Sequence, residues 1–260
     1  MVFCYAQTTT RNSGIVTPDE QARRQAATVF VCGTGGLGGA CILALARIGM
    51  GHLNRQVFAF GDTLKMHKAE ATAMLIHRIN FGLQVTVYKS DYPLHSRNCI
   101  ARSAVLVNGT DDLGAALLWY RAARDIGKSV IDASAAPLPS VDVTAPTDPP
   151  HEQRLGYPTA GTDWNQITPG QRALAALREA AHVMLHAFSR ADVDLAMVAD
   201  VVAGCRARLS FALMVITTGQ LMADEVVNAV PGRPRGADNR GWFFHPCRAW
   251  VERPDRKSVV

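Results

Sequence analysis

Residues 29–38 read Val29-Phe30-Val31-Cys32-Gly33-Thr34-Gly35-Gly36-Leu37-Gly38, and this stretch decides the fold. The apolar, partly β-branched run Ala27–Cys32 is of the kind buried as a strand. Glycines 33, 35 and 38 follow it at once. The first allows a tight turn, the second lets backbone N–H groups approach a phosphate, and the third lets helix and strand pack closely. Ala40–Ile48 is small and apolar and predicts a buried helix, which Gly49 stops. The start of such a helix carries partial positive charge. Strand, glycine loop and helix together predict a nucleotide cradle; a tight structural turn is the alternative.

On the amino-terminal side, Thr17-Pro18-Asp19-Glu20 reads as a helix start, with Thr17 as N-cap and Glu20 three residues on. On the carboxyl side, strands are expected at 56–60, 83–88, 104–107 and 129–133, and helices at 65–79 and 113–126. Strands alternating with helices predict α/β architecture: a Rossmann-like, mostly parallel sheet flanked by helices. Past Ser134 the character changes. Residues 136–168 are proline-rich and read as a loop or lid. Residues 169–189 and 192–230 read as mostly helical, and Trp242-Phe243-Phe244 as an aromatic return segment. The chain thus divides into a nucleotide-binding domain at 1–135, the lid at 136–168, and a helical C-terminal extension at 169–260.

Composition limits the function classes. With 260 residues and 48% hydrophobic content, the chain can bury a full core and is not a disordered tail. The net charge of +5 is spread out, without a basic block interleaved with aromatics, so nucleic acid is not the expected partner. Six cysteines form no Cys-x-x-Cys pair, so no zinc site is expected. The apolar stretches 29–50 and 211–230 are broken by glycines or polar residues, so no membrane span is expected. Residues 1–10 do not read as a secretory leader, and the expected compartment is the cytoplasm with reduced thiols. Cys205, beside Arg206 and Arg208, is expected to be a buried core thiol in a helix. His182 and His186 have i, i+4 spacing but no third ligand nearby, and read as a surface or core pair.

Several short marks stand in a particular order: Arg11-Asn12, Glu20-Gln21, the Gly-Gly-Leu-Gly loop, Asn54-Arg55-Gln56, Lys68-Ala69-Glu70, Ile79-Asn80 and Thr110-Asp111-Asp112. In this order they resemble the ThiF/MoeB/HesA adenylyltransferases, which are similar to ubiquitin-activating enzymes. The resemblance covers residues 11–135, and more loosely the C-terminal helices. It implies ATP and Mg²⁺ bound on the glycine loop (Gly33, Gly35, Gly36, Gly38). It also implies a partner, a small ubiquitin-like or sulfur-carrier protein whose C-terminal carboxylate attacks the α-phosphate. By match, Arg55 and Lys68 hold the phosphates, Asp111 holds Mg²⁺, Asn54 positions the triphosphate, and Arg11 reaches into the other subunit of a homodimer. Read without the resemblance, Arg55 and Lys68 are equally solvated surface cations, and Asp112 is a cap for the helix at 113.

The sequence also departs from that pattern. A nucleotide fold of this kind places an acid at the end of its second strand, about 20 residues past the loop, to hold the ribose. No Asp or Glu occurs between Glu20 and Asp62. Either the sheet lacks that strand, or residues 56–60 fill its place and Asp62 serves the ribose; Asp62 is otherwise an ordinary loop acid. In both cases adenylation is expected to be impaired. The leading expectation is a ThiF-type adenylyltransferase, weakened or inactive. Alternatives are a non-catalytic carrier-binding partner, a dehydratase acting on a modified tRNA nucleoside, and an NAD(P)-binding oxidoreductase, which the Arg55/Lys68 pair and the Thr-Asp-Asp turn disfavour.

Overall fold

The computed structural model describes residues 5, 9, 12, 16–48, 50, 52–54, 68–88, 92–134, 138–186, 194–206, 212–245 and 248–254; for 52–54, 68, 69, 92 and 184–186 only the backbone is described. The strands are β1 (Thr28–Cys32), β2 (His52–Asn54), β3 (Gln84–Val85), β4 (Val105–Asn108), β5 (Val130–Ser134), β6 (Ser140–Thr144), β7 (Trp242–His245) and β8 (Trp250–Glu252). They form one sheet in the order β3-β2-β1-β4-β5-β6-β7-β8. Pairing is parallel from β3 through β5 and antiparallel from β5 through β8. The helices are α1 (Pro18–Ala26), α2 (Gly36–Arg47), α3 (Lys68–Ile79), α4 (Tyr92–Ala101), α5 (Leu113–Ile126), α6 (His151–Arg154), α7 (Pro169–His186), α8 (Leu195–Val202) and α9 (Ala212–Ala229).

The central strands are apolar on both faces because both faces are covered. On one side Val29, Val31, Val105, Val107 and Ile131 pack against Ile42 and Leu45 of α2 and Met222 and Val226 of α9. On the other, Phe30, Cys32, Leu106 and Val130 pack against Trp119 and Ala123 of α5 and Ile100 of α4. The Phe30 and Trp119 rings meet with centroids 4.7 Å apart, and Trp119 is fully buried. Helix ends follow local chemistry. The Thr17 hydroxyl accepts the Glu20 N–H at 3.2 Å, and the Glu20 carboxylate accepts the Thr17 N–H at 2.9 Å, a complete capping box. Glu20 also holds Arg233, so α1 is tied to the segment after α9. Asp112 caps α5 by accepting the Ala115 N–H at 2.7 Å.

The second strand corrects the sequence reading. The sheet does not lack it, and His52–Asn54 fills it, pairing with Thr28–Phe30 of β1. Residues 56–60 and Asp62 lie outside the described residues. The connection from α2 is short: Ile48 closes the helix and Met50 is already fully buried under it. Asn12 and Gln21 brace this corner, both donating to the Ile48 carbonyl, at 3.3 and 3.2 Å. Two further differences are α4, which was not expected, and β6, a sheet strand within the proline-rich stretch. Cys205 is also not a core thiol: it lies exposed in the turn after α8. Among the described residues, no helix is long and apolar enough to cross a membrane.

Candidate functional site

The carboxyl ends of β1 and β4 are adjacent, which is where open α/β sheets bind ligands. The Gly109 N–H donates to the Cys32 carbonyl at 2.6 Å, joining the glycine loop to the turn after β4. Gly33 has φ +75°, and a Cβ there would lie 2.6 Å from the Thr110 nitrogen. A Cβ on Gly38 would lie 2.2 Å from the Gly33 carbonyl oxygen. Those two glycines are therefore dictated by close backbone approach. Gly35 is different. A Cβ there would meet no described atom within 4 Å, so this N-cap of α2 is open as far as the described residues go. Among the described residues no side chain caps it, which leaves the first amides of α2 for another acceptor. Beside it the Thr34 hydroxyl is buried with no partner among the described residues. An open cradle, uncapped amides and an orphaned hydroxyl fit the phosphates of a nucleotide. Gly36 lies against Val215, so α9 walls this loop on one side.

The two acids after β4 have separate fates. Asp112 is engaged: one oxygen caps α5 and the other accepts from Arg172 at 3.1 Å. Asp111 is exposed and bound by nothing among the described residues, so it is available to a ligand. No group of three His, Cys, Asp or Glu suited to a metal occurs among the described residues. A Mg²⁺ here would rest on Asp111 and on phosphate oxygens, a donor set that this ion commonly accepts. Asn54 ends β2, beside β1, in the place where such folds carry the ribose acid. Arg55 follows it directly in sequence but lies outside the described residues, as does Arg11. Lys68 opens α3, with only its backbone described.

The structure adds a polar network that the sequence reading missed. Asp132 of β5 accepts from the Tyr120 hydroxyl at 2.8 Å, from the Asn108 amide at 3.0 Å and from the Ala133 N–H at 2.7 Å. Asn108 in turn accepts the Thr110 N–H, so Asp132 supports the turn that carries Asp111. Opposite Asp132 across the β5–β6 ladder stands Asp142. Burial raises the pKa of Asp132, against the opposing hydrogen bonds. Burial pushes Asp142 up to about 7, with Arg154 acting against it. Burial, aided by Arg154, holds His151 well below the usual imidazole range. The one available signal was an Asp inside an apolar strand, a position where Asp is depleted.

This geometry defines a Rossmann-like α/β protein with a glycine loop open at the carboxyl edge of its sheet. A profile of the ThiF family matches residues 9–256, and the chain belongs to the ThiF family. A comparison with curated proteins finds no match. Among solved structures the chain is similar to PaaA, at 16% identity and TM-score 0.61, over 96% of this chain and 80% of that one. It is similar to E. coli MccB solved with ATP, at 12% identity and TM-score 0.60, over 90% of this chain and 65% of that one. E. coli MccB solved with MccA-N7isoASN gives 12% identity and TM-score 0.61, over 90% and 66%. At these identities the likeness concerns the fold.

Proposed function

We propose that the protein is an ATP-dependent adenylyltransferase that activates a carboxylate. The observation that carries this reading is the Gly35 cradle, open and uncapped, pressed by backbone contact against the turn that presents Asp111. The substrate carboxylate attacks the α-phosphorus, the bond to the β-phosphate oxygen breaks, and acyl-adenylate and pyrophosphate form. Backbone amides of α2 receive the phosphates, and the Thr34 hydroxyl adds a donor. Arg55 and Lys68 compensate charge on the phosphate oxygens, and Arg11 of one subunit completes the site of the other in a homodimer. Asp111 would hold Mg²⁺, which when bound would supply positive charge against the phosphates. Positioned donors and cations of this kind stabilise such a transition state without covalent chemistry. Asn54 offers the ribose a neutral amide in place of a carboxylate.

The substrate class is the C-terminal carboxylate of a small ubiquitin-like or sulfur-carrier protein. The test is ATP–pyrophosphate exchange driven by a carboxylate-ended peptide such as N-acetyl-Gly-Gly. Exchange that disappears in Asp111→Asn supports the reading; exchange that persists in that variant, or is absent with every carboxylate tried, refutes it. One observation favours a second reading, a non-catalytic partner of a carrier protein: β2 ends at Asn54 and not at an acid, so the strand end offers a ribose no carboxylate. Carrier binding without exchange would select that reading. Exchange triggered only by tRNA would instead select a nucleoside carboxylate.

A further inference from the structure

A cavity of about 120 Å³ opens at the end of the sheet opposite to the glycine loop. There Val130 starts β5, and Thr144 stands across the ladder from it. Leu117 and Tyr120 of α5 form one wall, and Pro146 and Pro150 form another. The second wall is fixed by a closed turn: the Asp148 N–H donates to the Ala145 carbonyl at 3.1 Å, and the Asp148 carboxylate accepts the Ala145 N–H at 2.7 Å. An apolar cavity of about 150 Å³ holds benzene, so this one has room for a short carbon chain and not for a nucleotide. One polar group interrupts the apolar lining at depth. Thr144 is 6% exposed, and its hydroxyl has no hydrogen-bond partner among the described residues. Asp142, two residues back on the same face of β6, is influenced by that hydroxyl, which tends to lower its pKa, but no hydrogen bond closes between them. Buried hydroxyls are normally satisfied, and an exception in a cavity wall marks a place for an absent polar atom.

The rim carries charge. Arg121, Arg124 and Lys128 line the cavity together with Asp125 and Glu152. Both acids are already held. Glu152 pairs with Arg121 through two bonds, at 3.0 and 2.8 Å, and Asp125 accepts from Arg97 at 3.2 Å. Arg121 places its remaining donors on the Thr159 and Thr162 carbonyls. Arg124 bridges from α5 to the Asp148 carbonyl on the opposing loop, and the Lys128 ammonium is bound by nothing among the described residues. His151, also in the wall, is held well below the usual imidazole range by burial and adds no charge. Arg124 and Lys128 are therefore left without an acid. An inorganic anion suits that rim but leaves the apolar walls and the hydroxyl unused. A hydrocarbon fills the walls but offers nothing to Thr144 or to the cations, and an amine meets two like charges. A short carboxylate with a carbonyl oxygen near its far end satisfies all three features.

We propose that this cavity binds a short-chain oxo acid, with the carboxylate between Arg124 and Lys128, the chain against Leu117, Val130 and Pro146, and the keto oxygen accepting from the Thr144 hydroxyl. The site is separate from the nucleotide cradle and does not depend on the adenylation reading. The test is a ligand-observed NMR titration of the full chain with 4-oxopentanoate, pentanoate and 4-oxopentanamide. The oxo acid is expected to bind about threefold or more tighter than pentanoate, for one hydrogen bond between neutral groups. It is expected to bind about fivefold or more tighter than the uncharged amide, for two partly exposed cations. Arg124→Gln/Lys128→Gln should remove the preference for acid over amide. Thr144→Val should remove the preference for the keto group without lowering the melting temperature, because it deletes an unsatisfied buried hydroxyl. ATP–Mg²⁺ should not displace the oxo acid. Binding of none of the three, equal binding of all three, preferences that survive in the variants, or displacement by ATP–Mg²⁺ overturns the proposal.

Discussion

Replacing Gly35 and Gly38 by alanine, one at a time, separates the two tasks of the glycine loop. A methyl on Gly38 would sit 2.2 Å from the Gly33 carbonyl oxygen and 3.3 Å from Val31 Cγ1. The oxygen is backbone and cannot swing away, so overpacking should cost about 3 kcal/mol, the upper end of its usual range. At roughly 2–4 °C per kcal/mol for a chain of this size, Gly38→Ala should melt about 6–12 °C lower. A methyl on Gly35 would meet no described atom within 4 Å, and its φ of −65° suits any residue. Gly35→Ala should therefore stay within about 0.5 kcal/mol of the parent. Its methyl would instead enter the space that the proposed function gives to phosphate. Losing one charge-assisted contact costs about 1.5–3 kcal/mol, a tenfold to more than hundredfold loss of affinity. The assay is a thermal melt with and without ATP–Mg²⁺. At a hundred times Kd the ligand adds about 2.7 kcal/mol, which a hundredfold affinity loss cuts to about 0.4 kcal/mol. A Gly35→Ala protein that keeps the full ATP shift, or a Gly38→Ala protein as stable as the parent, would refute the reasoning.

Three further outcomes are expected. Asp111 is exposed and makes no bond among the described residues, so Asp111→Asn should leave the melting temperature unchanged while lowering exchange by about 10²–10³, checked by melting and exchange on one preparation. Tyr120→Phe removes the 2.8 Å bond to the buried Asp132 carboxylate and should destabilise by about 1.5–3 kcal/mol in urea titration. Asp142 is raised to about 7 from 3.8, so the native state binds the extra proton. Its contribution to stability should fall as pH rises from about 4 to about 7 and level off above, and the parent-minus-Asp142→Asn difference in melting temperature should follow that slope.

What the sequence revealed depended on how local the cause was. The β1 strand and glycine loop were legible because apolar run and glycine spacing are read within ten residues. The α5 boundaries were legible because Asp112 caps its start and Gly127, at φ +76°, ends it. The second strand was hidden because His52–Asn54 is three residues long, too short to show a period of two. Helix α4 buries only Ser96, Cys99 and Ile100 among its described side chains, so its inward face is barely apolar. Strand β6 sits among prolines, and its partner β5 is visible only once the sheet is assembled. Asp132 and Asp142 are ten residues apart in the chain and directly opposite in the ladder; no local pattern announces that pairing. Asp111 and Asp112 looked alike in the sequence. Only the fold shows that Asp112 is spent on a cap and an ion pair while Asp111 stays available.

The most direct measurement is calorimetric titration of the full chain with ATP–Mg²⁺, repeated on a Gly35→Val variant shown to fold by its melting curve. The account predicts saturable binding at one site per chain in the parent and none in the variant. Identical heats in the two proteins, or no heat in the parent, would contradict it.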